Sequence, residues 1–140
     1  MAYCTQADLT ETLSQQKLSE LTDDEKLGII NTSRVALAIA TADAEINGFL
    51  AGRYTVPIAP VPPLVKSWSV LLTVYYLWRR RQHVPADVRL AYEDVIARLR
   101  DAAQGSITLG LAEAPPTVSG TEGSVSGPAR VFTRTLLGDF

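Results

Sequence analysis

Leu64-Val-Lys-Ser-Trp-Ser-Val-Leu-Leu-Thr-Val-Tyr-Tyr-Leu-Trp-Arg-Arg-Arg81 decides the fold. Apolar residues fall on nearly every face of this stretch, which suits a helix at the centre of a bundle. It carries Lys66, Ser67 and Ser69 and closes on three arginines. That leaves it short of the roughly 20 apolar residues a membrane-spanning helix needs. The arginines complement the negative end of the helix.

Upstream lies Tyr54-Thr-Val-Pro-Ile-Ala-Pro-Val-Pro-Pro63. Its prolines fix their own φ and bias their predecessors toward extended backbone, so it reads as a stiff connector. Pro62 or Pro63 can open the central helix, where a missing N–H costs nothing. Before the connector, Asn31 caps a long helix reaching about Ala51. Its apolar stripe is Val35, Ala38, Ile39, Ala42, Ile46, Phe49 and Leu50, at helical spacing. Arg34, Thr41, Asp43, Glu45 and Asn47 fall on other faces. Downstream, Pro85 starts a helix with Val88, Ala91, Tyr92, Val95, Leu99 and Ala102 on one face, ended by Gly105.

Two shorter signals precede these. Thr5 is an N-cap with Asp8 three residues on. Thr22-Asp23-Asp24-Glu25 has the form of a capping box, opening a brief helix bounded by Gly28 and Asn31. The expected fold class is therefore all-α, a small bundle of four to five helices spanning residues 1–112. Residues 113–140 form a Pro/Ser/Gly-rich stretch and an extended C-terminal arm. The arm ends in Val131, Phe132, Leu136, Leu137 and Phe140, apolar groups that together with Arg134 have a docking role.

Apolar residues make up 46% of the 140, charged residues 20%, and the net charge is −2. That is a globular balance, and it lacks the basic excess of a phosphate-gripping protein. Met1 to Thr12 lacks the basic start and apolar run of a secretion signal. The single cysteine, Cys4, and single histidine, His83, cannot fill a structural zinc site. Cys4 has no neighbouring cation to lower its pKa, so it reads as a structural thiol. His83 sits in a turn before Pro85 and reads as solvated. No phosphate loop is present, since Gly48-Phe-Leu-Ala-Gly52-Arg53 lacks the Lys-Ser/Thr ending. Neither catalytic residues, cofactor nor metal are expected. Trp68, Tyr75, Tyr76 and Trp78 read as core before they read as a ligand-stacking surface. Arg79, Arg80 and Arg81 are a candidate interaction site, with a solvated helix end as the competing reading.

The blocks Thr5-Gln-Ala-Asp-Leu9, Leu21-Thr-Asp23, Ala42-Asp-Ala-Glu-Ile-Asn47 and Leu50-Ala-Gly-Arg-Tyr-Thr-Val-Pro57 form a pattern. Ala91-Tyr92-Glu-Asp, Gly105-Ser-Ile-Thr-Leu-Gly110 and Val131-Phe132-Thr-Arg134 continue it. The pattern resembles a family of Mu-like phage proteins long carried as a domain of unknown function, over about residues 2–112 and the final ten. Asn31 and Asn47 stand where much of that family has aspartate. The resemblance implies a head–tail adaptor of a tailed phage or prophage, assembled in the host cytoplasm and sited in the virion neck. It implies a homo-oligomeric ring, usually of twelve copies, beneath the portal protein. Such a ring extends the channel through which DNA passes without sequence-specific binding, and presents a surface to the next neck or tail-completion protein. The alternative class is a small helical DNA-binding regulator using Arg79 to Arg81.

Overall fold

The computed structural model describes residues 1–114. They form α1 (Gln6–Thr12), α2 (Gln15–Thr22), α3 (Thr32–Leu50), α4 (Pro63–Arg80) and α5 (Ala86–Gln104). The all-α bundle holds, and among the described residues the sole β pairing is an isolated bridge between Tyr54 and Glu113. Residues 115–140, with all six arm residues named above, lie outside the described part.

The helix ends follow local chemistry. The Asp8 amide donates to Thr5 Oγ1 and the Thr5 amide to Asp8 Oδ2, a closed capping box at α1. Asn31 Oδ1 accepts from the Arg34 amide and starts α3. Pro63 opens α4, and Pro85 precedes α5. Gly105 ends α5 with φ +88°, a left-handed conformation that costs other residues about 1–2 kcal/mol. A Cβ there would also run into the Arg53 guanidinium.

One helix is misplaced by sequence. No helix starts at Thr22-Asp23-Asp24-Glu25; Thr22 is instead the last residue of α2. Its hydroxyl donates to the Leu18 carbonyl at 2.8 Å and accepts from the Asn31 amide at 3.2 Å, so it cannot cap forward. Lys26 (φ 56°) and Gly28 (φ 73°) then take left-handed conformations that no helix accommodates. Asp23 accepts from the amides of Glu25 (3.1 Å) and Gly28 (2.6 Å), which folds residues 23–31 into a loop. The overlooked start of α2 is Ser14, which caps through the Lys17 amide.

The core has two halves sharing α4. Ile46, Leu50, Tyr54, Ile58, Trp68, Leu72 and Leu99 belong to one, and Leu9, Leu18, Val35, Ile39, Val74 and Leu77 to the other. α4 accordingly packs on α1, α2, α3 and α5, the central place its all-round apolarity requires. The proline connector is pinned by its buried Tyr54 and Ile58, and its Val56–Pro57 and Ala59–Pro60 bonds are cis. No described helix is long and apolar enough to cross a membrane.

Candidate interaction surfaces

Four arrangements of polar and apolar side chains define what this molecule can do. The first is an arginine clamp. Asp24, in the loop after α2, accepts both guanidinium nitrogens of Arg80, at 2.7 and 2.9 Å. Arg34 and Arg81 reach the same carboxylate at 2.8 and 3.0 Å. The three guanidiniums also satisfy the carbonyls left open at the end of α2. Arg81 donates to those of Glu20 (2.5 Å) and Asp23 (2.7 Å), Arg80 to Leu21 (2.5 Å) and Arg34 to Thr22 (2.7 Å). The Arg80 hydrogen bond, with all three cations adding, lowers the Asp24 carboxyl pKa. Of the predicted arginine triplet, Arg80 and Arg81 are thus engaged in holding the α2 end. Arg79 is exposed and, among the described residues, makes no ion pair.

The clamp sets an expectation. Asp24→Asn should loosen residues 23–31 without unfolding the bundle, because the core lies elsewhere. Amide exchange at Gly28 and Asn31 should accelerate while exchange in α4 stays slow. Unchanged exchange at Gly28 and Asn31 would show that the backbone bonds alone hold the loop.

The second arrangement is a buried polar layer between the core halves. Asp43 is only 7% exposed, although its charge places it on an outer face by sequence. Its Oδ2 accepts from the Tyr3 amide at 3.0 Å and its Oδ1 from the Ser69 hydroxyl at 2.7 Å. Ser69 Oγ lies 3.2 Å from Cys4 Sγ, and Cys4 lies 3.8 Å from Thr73 Oγ1. Burial pushes the Cys4 thiol pKa up, which makes it a poor nucleophile and fits the structural reading. The Tyr3 hydroxyl donates to Asn47 and accepts from the Ile58 amide at 2.8 Å, so the N-terminal segment ties α3 to the connector.

The third is a tyrosine cluster. Glu45 of α3 accepts from Tyr76 of α4 (2.6 Å) and Tyr92 of α5 (3.1 Å). Tyr75 stacks on Tyr92 with centroids 3.9 Å apart. Burial first, then the Glu45 carboxylate, raises the Tyr76 phenol pKa above its ordinary value. Trp68 is buried in the core, and half-buried Trp78 lies under the Lys17 ammonium at 5.0 Å. The aromatics of α4 are therefore spent on packing, as their composition suggested.

The fourth is the outer face of α3. Ser33, Ala36, Leu37, Ala40, Thr41, Ala44 and Gly48 are all exposed, Leu37 at 70%, and none is charged. The three charged residues of α3 are consumed elsewhere: Arg34 in the clamp, Asp43 in the polar layer, Glu45 under the tyrosines. α5 has the same length, yet its exposed residues include Asp87, Arg89, Glu93, Asp94, Arg98, Arg100 and Asp101. Sequence reading passed over this contrast because it tracked which residues are buried. The signal was the charge-free spacing of Ala36, Ala40, Ala44 and Gly48 beside Leu37.

Small, all-α and, among its described residues, without three clustered metal-ligating side chains, the molecule is a helical domain whose ionic groups mostly serve its own fold. The chain belongs to the family described as Bacteriophage Mu, Gp36, which it matches over residues 3–126. It is 31% identical over 96 residues to the Mu-like prophage FluMu protein gp36 of Haemophilus influenzae, covering 69% of this chain and 67% of that one. It is 27% identical over 143 residues to gene product J of Escherichia phage Mu, covering 99% of each. This is a protein of Mu-like phage origin.

Proposed function

We propose that the protein is a non-enzymatic head–tail adaptor, forming a ring beneath the portal in the virion neck and docking the next neck or tail-completion protein. The observation that carries this reading is the charge-free, exposed face of α3 on a phage-family domain whose other 19-residue helix, α5, is rich in exposed charge. Such a face favours assembly over a solitary existence in water. In this reading Val131, Phe132, Arg134, Leu136, Leu137 and Phe140 supply contacts to a neighbouring protein, and Arg79 adds a peripheral charge. DNA passes through the ring without base recognition.

The DNA-binding regulator loses ground on the clamp, because Arg80 and Arg81, although partly exposed, already spend their donors on α2 carbonyls and Asp24. The test mixes the full chain with the portal protein of its own phage and measures mass by sedimentation. A stoichiometric ring on the portal is expected. A small oligomer that ignores the portal and binds duplex DNA with steep salt dependence would overturn the reading.

A further inference from the structure

A groove of about 460 Å³ runs along the outer side of α3, within the range of about 300–1,000 Å³ common for binding pockets. Its floor is Ala36, Ile39, Ala40, Asp43, Ala44 and Asn47, and Met1 and Ala2 form one wall. Beyond it, Gly48 faces open space, so nothing within the described subunit explains a glycine that costs its helix about 1 kcal/mol. Close approach of another backbone does explain it.

Three observations choose the occupant. α3 is 19 residues, about 28 Å long, so its face offers about 280 Å². That is about a third of the roughly 800 Å² per side that a standard interface buries, so in an assembly the face would be one part of a larger contact, whereas alone it matches a short peptide in a groove. Next, Ala114 is fixed by donation of its amide to the Arg53 carbonyl at 2.8 Å, so the described part of the chain ends beside the C-terminal end of α3. Residues 115–130 can span about 50 Å, and the far end of the groove at Ala36 is about 21 Å from Leu50. Finally, half of the segment Val131-Phe-Thr-Arg-Thr-Leu-Leu-Gly-Asp-Phe140 is large and apolar, with one charge of each sign among its side chains. A tether of this length gives it a local concentration of order millimolar at its own groove.

We propose that residues 131–140 occupy the α3 groove of their own chain in the free subunit, covering the uncharged face before assembly. This goes beyond the adaptor reading and is measured on the isolated protein, so either can fail without the other.

The experiment places a thiol at exposed position 40 (Ala40→Cys) in the full chain and in a chain truncated after residue 130. Native Cys4 is buried with a raised pKa and stays silent to alkylation. The full chain should alkylate at position 40 at least tenfold more slowly than the truncated one, which needs only about 1.4 kcal/mol of docking. Phe132→Ser with Leu136→Ser in the full chain should restore the fast rate, with circular dichroism unchanged. Adding Leu137→Cys to Ala40→Cys and treating dilute protein with a short bis-maleimide should give a link within one chain. Equal alkylation rates, or links only between two chains, would overturn the proposal.

Discussion

Ile46→Asp leaves a chain that does not fold. Ile46 is fully buried in the core half built around Trp68, Leu72 and Leu99. An aspartate there has no cation within that cluster, and the alternative of staying protonated still buries an unpaired carboxyl group. Desolvation, with the lost apolar contacts, amounts to about 5 kcal/mol or more, comparable to the whole stability of a domain this size. Circular dichroism should show loss of the helical signal at room temperature, whereas Ile46→Val should cost only about 1 kcal/mol. A helical Ile46→Asp protein with a near-wild-type melting midpoint would contradict the burial of this face.

Asp43→Ala should be the most damaging change at a polar position. It strands the Tyr3 amide inside the protein and leaves the Ser69 hydroxyl only the weaker Cys4 sulfur as acceptor. At about 1–3 kcal/mol for the orphaned Tyr3 amide and about 1 kcal/mol for the weakened Ser69 bond, the sum is about 2–4 kcal/mol, a fall in Tm on the order of 10 °C. Asp43→Asn keeps one acceptor oxygen and should recover part of the loss. Thermal melts of the three proteins check the order. Equal midpoints for wild type and Asp43→Ala would mean that water enters and serves both donors.

The long helices were legible because their signals are local and repeated. Asn31, Pro62-Pro63, Pro85 and Gly105 bracket α3, α4 and α5, and the period between them is set by burial on one side. α2 was not legible, since Ser14 is followed by Lys17 rather than an acidic residue and so lacks the reciprocal bond of a capping box. The false start at Thr22 had the right letters. Its hydroxyl was already committed to Leu18 and Asn31, a tertiary fact.

The interaction surfaces divide the same way. Asp43 follows Ile39 by four and precedes Ile46 by three, which is core spacing. Only the Tyr3 backbone and Ser69, 40 and 26 residues distant, make a carboxylate tolerable there. Likewise Arg80 meets Asp24 across 56 residues, so a run of arginines reads as an open charge patch until the loop is in place. The uncharged face of α3 was written in the sequence all along, but its meaning depends on knowing which side is wet. The arm residues Val131 to Phe140 lie outside the described part of the chain, and their role rests on the experiments set out above.

α4 is a shared member of both core halves, and this governs how the domain fails. Each half on its own is too small to hold a fold, and neither keeps a closed interior once α4 shifts. Opening of one half therefore disturbs the other, since α4, with α3, walls both. A ligand or neighbour that grips any one helix steadies the whole through that common spine. A domain built this way passes a pull on one edge through its centre to the opposite one.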